Sequence, residues 1–380
     1  NFNWSLAVAC VLVSALGVVC IQSADLHGGS AALGEYKKQI IYVLIGIPLM
    51  VGFSFIDYRN WKRWAPGLYL VNLALLAFIL RGGHSALGAQ RWIAVGSFFT
   101  FQPSEAAKLI LAISIAAVLC KSTYDRVQDL WKPLLTAAIP ALLILKQPDL
   151  GTSLVVGAIL TSQLFFGLPK LGDFLIYVMG VVIAGAAAVG TNAILKPFQK
   201  ARLLVFLNPS SDPQGAGYNL NQSKIAVGNG GLFGKGLYHG TQTQLNFVPE
   251  HSRDFIFTVL GEELGFLGGL VLLALYTVVL IGGVRAMYAA RDRFGFLLAS
   301  GLVAMLFFHV LINVGMTIGI MPITGIPLPF MSYGGSAILT DYAAVGILLN
   351  IAMQRDKLIF EPIDSPLLHE TGRRPVVASR

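Results

Sequence analysis

Residues 4–22, WSLAVACVLVSALGVVCIQ, contain no charged side chain. At a helical rise of about 1.5 Å per residue, such a run reaches roughly across the 30 Å hydrocarbon core of a bilayer. Residues 39–55 and 65–80 are likewise uncharged. A secretory leader supplies one short apolar segment, so the recurrence of such runs excludes a lone leader on a soluble chain. Composition agrees. Of 380 residues, 55% are hydrophobic and 12% charged, where a soluble domain carries about a quarter charged residues. Mean hydropathy is +0.70. The chain starts at Asn1 rather than a methionine, and a preceding segment is expected.

Working outward, the apolar pattern predicts about ten transmembrane helices, near 4–23, 38–56, 61–80, 103–120, 133–146, 151–168, 172–192, 255–284, 294–320 and 336–353. The expected fold is an all-α polytopic membrane protein. Helices one to seven occupy 1–192, a large extracytoplasmic loop 193–254, helices eight to ten 255–353, and a cytoplasmic tail 354–380. The fifth and sixth segments are short and split by Lys146-Gln147-Pro148-Asp149, which suits either two tilted spans or a re-entrant pair. The turns after spans two, four, six and eight, with the tail, carry fifteen Lys and Arg. The short loops on the other side carry five: Lys37, Lys38, Arg81, Arg91 and Lys146. Positive charge is retained in the cytoplasm, so both termini are expected there and 193–254 and 321–335 outside. The same distribution disposes of nucleic acid as a partner, despite a formal charge of +8. Cys10, Cys20 and Cys120 lie in or beside apolar runs without metal-ligand spacing, and read as packing residues.

The polar residues that break the apolar pattern gather on the outer side. The loop stretch NPSSDPQGAGYNLNQSKIAVGNGGLFGKGLYHGTQTQLNFVPEHSRDF (208–255) mixes Gly and Asn with Leu, Ile, Phe and Tyr. That mixture suits an ordered cover with short helices, one of them over 219–227. Asp254 ends the loop at the lip of the eighth span. It is the expected catalytic base in a partly desolvated site, with Ser252 or Asp254 as a helix cap the plainer alternative. Glu262 and Glu263 follow inside the span and need partners there, either cations to orient or hydrogen bonds that pack the helix. The fourth span opens on Gln102-Pro103-Ser104-Glu105, where Pro103 and Glu105 suit a helix start. Lys108 lies on the same face as Glu105 and forms the expected ion pair, facing a cavity. Arg91 is either an interfacial anchor or a ligand, and Asp149 either a cap or a ligand. His309 and Asn313 are four apart and read first as a hydrogen-bonded pair inside the bundle. Pro and Gly break any helix over 321–336, and such backbone must line protein or water. Arg91, Glu105, Lys108, Asp149 and Ser332 are the expected substrate contacts around Asp254. An acid here could deprotonate a sugar hydroxyl and the cations could hold a pyrophosphate. No metal motif is present; a carboxylate-bound divalent cation is the one cofactor left open.

The segments FQPSEAAKL (101–109), QPDLGTSL (147–154), GTQTQLNFVPEHSRDFIFTVLGEELGF (240–266) and GIMPITGIPLPFMSYGGSA (319–337) resemble the SEDS family (shape, elongation, division and sporulation). The resemblance runs in order over nearly the whole chain, and GTQTQLNFVPE is more similar to the elongation branch than to the division branch. It implies a polymerase that joins lipid II at the outer face of the bacterial plasma membrane for elongation and rod shape. It implies a class B penicillin-binding protein as crosslinking partner, with undecaprenyl-linked glycan and membrane lipid in contact. The family's essential acid, after its Pro-Glu-x-His motif, falls on Asp254; its fourth-span acid and lysine fall on Glu105 and Lys108, and its Gln-Pro-Asp acid on Asp149. The family usually has Thr before the essential acid, where this chain has Arg253, which bears on local geometry. The implied reaction is inverting: Asp254 takes the proton of the acceptor GlcNAc 4-hydroxyl, whose oxygen displaces undecaprenyl pyrophosphate from the donor MurNAc. A lipid II flippase would need a route to the cytoplasmic side, which the short basic loops do not suggest. An ion-coupled transporter is expected to show inverted repeats, and none is evident. A non-catalytic scaffold for a penicillin-binding protein has no need of a buried lysine.

Overall fold

The computed structural model describes residues 2–25, 34–82, 84–86, 89–95, 99–121, 127–190, 215–245, 247 and 252–354, with single positions at 199, 202, 205, 206, 208 and 212. The tail beyond 354, and its expected cytoplasmic disposition, lie outside the described residues. Among those described, helices dominate: α1 (Trp4–Asp25), α2 (Glu35–Phe55), α3 (Tyr58–Gly82), α4 (Pro103–Leu119), α5 (Trp131–Lys146), α6 (Leu150–Gly167) and α7 (Leu171–Gly190). The loop contributes α8 (Ala216–Asn229) and α9 (Thr241–Gln244). Then follow α10 (Ile256–Ala289), α11 (Arg293–Ile318) and α12 (Gly335–Met353). Among the described residues, seven helices are long and apolar enough to cross a membrane: α1, α2, α3, α6, α10, α11 and α12. The chain is a multi-pass membrane protein. The expected fifth and sixth segments are two separate helices, α5 and α6, packed on each other.

Local sequence sets the helix ends. Pro103 opens α4, where a missing N–H costs nothing. Asp149 caps α6 by accepting the Thr152 N–H at 3.1 Å, and Asp292 caps α11 through the Gly295 N–H at 2.9 Å. Gly319, at φ 82°, closes α11 in the left-handed conformation. In the centre, α12 packs along α2 while α11 lies between α6 and α10. Nearly every side chain of α12 is buried, whereas α7 rests on α6 with its apolar residues largely exposed, as a helix facing lipid should.

Two features depart from a plain helix bundle. A small antiparallel sheet, in the order β1 (His84–Ala86), β2 (Ala89–Val95), β3 (Phe99–Phe101), fills the connector between α3 and α4. Strands of three to seven residues are too short to show periodicity in the sequence. The second is a break in α10 at Gly265, where φ is 65°. Loop residues 231–236 enter the break: Phe266 N–H donates to the Gly231 carbonyl at 2.9 Å, and Gly236 N–H to the Glu263 carbonyl at 3.0 Å. The Glu262 carboxylate accepts the backbone N–H groups of Gln242 and Thr243 at 2.9 and 3.1 Å, and pairs with Lys235 at 3.3 Å. Glu263 accepts from Ser23 on α1. Both glutamates therefore fasten the loop and α1 to α10 by hydrogen bonding, one of the two roles expected of them. A second small core of Val205, Leu220, Ala226, Phe255, Met316 and Ile323 seats α8 on the bundle. In the described residues the loop is an ordered cover.

Candidate functional site

Asp254 precedes Phe255, the residue that caps α10 without a side-chain hydrogen bond. Its backbone is fixed by the 320–334 segment and by α11. Asn313 Nδ2 donates to the carbonyls of Asp254 and Ile326 at 2.8 and 2.7 Å. Ser332 Oγ donates to the Arg253 carbonyl at 2.6 Å and accepts the Leu328 N–H at 2.8 Å. Tyr333 N–H donates to the Ser252 carbonyl at 2.9 Å. Neighbouring helices hold the hairpin in turn. Gln39 Nε2 donates to the Ser332 carbonyl at 3.0 Å, and Tyr276 OH to that of Pro329 at 2.6 Å. Prolines and glycines leave this buried backbone without helical partners, and Asn313, Gln39 and Tyr276 supply the missing ones. Asn313 thus does not pair with His309 but clamps the strand that carries Asp254.

The Asp254 carboxylate faces Gly325. A methyl group placed there would lie 3.1 Å from Asp254 Oδ2 and 3.5 Å from a guanidinium nitrogen of Arg202. Gly325 has φ 73°, so the residue leaves room for both groups and adopts a turn that other residues resist. Burial draws the Arg202 guanidinium below its ordinary range; Asp254 and Asp149 oppose the shift and Arg91 adds to it. A partly desolvated guanidinium between two carboxylates and another cation is poised to gain from an incoming anion. The neighbouring Arg253 turns elsewhere. Its guanidinium lies 3.4 Å from Glu35 Oε1 and stacks over the Tyr333 ring at 5.6 Å, while Ser252 Oγ donates to Glu35 Oε2 at 2.7 Å. An arginine at this position therefore ties the loop end to α2 and leaves the Asp254 backbone undisturbed.

Beneath this surface lies a buried polar network. Lys108 Nζ is 2.8 Å from Glu105 Oε2 and 2.7 Å from His309 Nε2. His309 Nδ1 lies 2.6 Å from the Met305 carbonyl. A carbonyl only accepts, so Nδ1 carries the proton and Nε2 accepts from the ammonium. Asp341 on α12 is buried near enough to Lys108 and Glu105 for their charges to act on it. Lys108 is 1% and Glu105 4% exposed. The expected pair is present, but it faces protein rather than an open cavity, because the lysine lies one turn into α4 and reaches across to α11.

The other expected substrate contacts have protein partners too. Arg91, on β2, donates to the carbonyls of Gln147 (2.8 Å) and Pro148 at the end of α5. Asp149 caps α6, accepting also from Thr152 Oγ1 at 2.9 Å and from Ser104 Oγ and Gln102 Nε2 at 3.3 Å. Ser332 clamps the loop end as described. Arg91 and Asp149 lie near enough to Arg202 for their charges to act on it. Among the described residues no three of His, Cys, Asp and Glu come together to hold a metal ion. Arg202, Asn313 and Asp341 are the additions the structure makes. Asp341 left a sequence signal, an acid within the otherwise uncharged stretch 335–353; Arg202 left none beyond being one of six loop cations.

An acid and a guanidinium meet at one end of an apolar helix bundle, and the bundle defines a polytopic membrane protein. The chain belongs to the FtsW/RodA/SpoVE family, whose model, described as "Cell cycle protein", matches residues 3–357. It is 40% identical over 327 residues to peptidoglycan glycosyltransferase MrdB of Escherichia coli K12, covering 86% of this chain and 88% of that one. It is 33% identical to peptidoglycan glycosyltransferase RodA of Treponema pallidum, over 92% of this chain and 97% of that one. Among solved structures, a chain from "Structural coordination of polymerization and crosslinking by a peptidoglycan synthase complex" aligns with a TM-score of 0.80 at 29% identity, covering 94% of this chain and 99% of that chain. Rod shape determining protein RodA of Thermus thermophilus aligns with a TM-score of 0.69 at 28% identity, over 94% and 98%.

Proposed function

We propose that this chain is a peptidoglycan glycosyltransferase that polymerises lipid II at the outer face of the bacterial plasma membrane, in the service of rod-shaped elongation. The observation that carries the mechanism is the meeting of the Asp254 carboxylate and the Arg202 guanidinium over Gly325. Asp254 removes the proton from the GlcNAc 4-hydroxyl of one chain. The freed oxygen attacks the anomeric carbon of the other chain's MurNAc as the bond to undecaprenyl pyrophosphate breaks, inverting that carbon. Arg202 receives the negative charge that accumulates on the departing pyrophosphate. Asn313 and Ser332 keep the base in register, and the Glu105–Lys108–His309 network with Asp341 holds α4, α11 and α12 beneath it. The two polyprenyl tails stay in the bilayer.

In this reading α4, α5 and α7 also cross the membrane, giving ten spans with both termini cytoplasmic. A class B penicillin-binding protein crosslinks the product. The relatives that carry the activity in their names support the polymerisation, and the peptidoglycan synthase complex among the similar structures supports the crosslinking partner. Purified protein with its penicillin-binding partner should convert lipid II to glycan chains, and Asp254→Asn should abolish this by roughly 10²–10⁴-fold, the usual worth of a positioned base, while remaining folded. Wild-type-like polymerisation by that variant would remove Asp254 from the mechanism. Lipid II crossing sealed vesicles without polymerisation would favour a flippase instead.

A further inference from the structure

At the end of the bundle remote from Asp254, α3, the end of α4 and the first turns of α5 enclose a cavity of about 490 Å³, lined by Tyr69, Lys121, Trp131, Lys132, Leu135 and Ile139 among others. Its polar groups lie at one end. Lys121 follows α4 and Lys132 begins α5, with its ammonium 5.9 Å from the centre of the Trp131 ring. Neither lysine forms an ion pair among the described residues, and Asp129, on the turn between them, pairs with neither. Apart from Thr136 and the Tyr69 phenol, the rest of the lining is apolar. The Thr136 hydroxyl donates to the Lys132 carbonyl at 2.8 Å, so it asks nothing of a ligand.

The apolar wall has a direction and a length. Trp131, Leu135, Ile139 and Leu142 are all exposed, at 56%, 47%, 43% and 54%. They fall at i, i+4, i+8 and i+11 and form one stripe along α5. Eleven residues rise about 16 Å, close to one leaflet of a 30 Å hydrocarbon core. Tryptophan at the head of the stripe suits the membrane interface. Two cations without an ion-pair partner among the described residues, and a leaflet-long apolar trough below them, match one kind of ligand. An inorganic phosphate would leave the trough empty, and a neutral lipid would leave the lysines without counter-charge.

We infer that this groove binds an anionic glycerophospholipid of the leaflet opposite the Asp254 surface, its phosphate between Lys121 and Lys132 and one acyl chain along Leu135 and Ile139. The site is independent of the proposed reaction. The test is native mass spectrometry of the purified full chain, titrated with dioleoyl phosphatidylglycerol or dioleoyl phosphatidylcholine. Wild type should retain the anionic lipid in preference. A lysine beside an anionic headgroup contributes about a fivefold change in affinity, so Lys121→Gln with Lys132→Gln should cost roughly 25-fold for phosphatidylglycerol and little for phosphatidylcholine. Leu135→Trp, which narrows the trough, should weaken both. Lys62→Gln with Arg63→Gln, on the same side of the bundle, should leave the preference intact. Equal retention of the two lipids by wild type overturns the proposal. So does an equal loss in the Lys62/Arg63 variant, which would reduce the effect to general surface charge.

Discussion

At the scale of single residues, charges in this protein differ in how much water they retain, and that decides what each does. Arg202 is only partly buried and sits between carboxylates, so it can exchange one anionic partner for another. Arg202→Ala should therefore slow lipid II polymerisation by roughly 10²–10³-fold, the scale on which losing one transition-state donor acts, with little change in thermal stability. Initial rates on purified variants measure this, and Arg202→Lys, which keeps the charge but not the planar fork, should recover part of the loss. Lys108 is fully enclosed. Replacing it by Met leaves Glu105 charged and unpaired in the bundle, a loss of about 3–5 kcal/mol. The outcome should be a lowered unfolding temperature in detergent, with inactivity following from it. Glu105→Gln combined with Lys108→Met should restore most of the lost stability; failure to do so would mean the pair is not what holds these helices.

At the scale of elements, the broken helix α10 is the joint between loop and bundle. Gly265 has φ 65°, and a methyl group there would lie 2.3 Å from the Gly234 nitrogen and 2.8 Å from the Leu232 carbonyl. Gly265→Ala thus faces both backbone strain and a collision with backbone that cannot move aside. The expected result is release of 231–236 from the break, seen as faster amide exchange at Phe266 and Leu267 while α11 and α12 stay protected. The helices were legible in the sequence because each is a long uncharged run, and ends such as Pro103, Asp149 and Gly319 are set by local chemistry. The short helix expected over 219–227 appears within α8. The loop's entry into α10 was not legible: it depends on pairing between residues far apart in the chain, such as Gly236 with Glu263 and Phe266 with Gly231, and Gly265 sits in a stretch that reads as uninterrupted helix. Site residues followed the same division. Asp254 was legible as an acid at a span's edge. The protein partners of Arg91 and Ser332, and the His309 partner of Lys108, were not, since each is contributed by a different element.

At the scale of the whole molecule, the Asp254 site, the sheet and the described loop helices lie toward one end of the helices. The ends of α1, α3, α5 and α11, the starts of α2, α4, α6, α10 and α12, the sheet and the loop helices all meet there. The opposite end has short turns at 56–57, 168–170 and 290–292, rich in basic neighbours. If the positive-inside rule governs insertion, the Asp254 end faces away from the cytoplasm. Substituted-cysteine labelling tests this directly. Cys120 would first be replaced by Ser, leaving Cys10 and Cys20, which are buried. A cysteine at Lys235, on the loop, should react with a membrane-impermeant maleimide in intact spheroplasts. One at Asp57 or Asp292 should react only after permeabilisation. The reverse pattern would put the cleft in the cytoplasm, where an acceptor glycan does not exist and the proposed polymerisation could not occur. Orientation is therefore not a detail of insertion: the same residues are a polymerase site on one side of the membrane and have no substrate on the other.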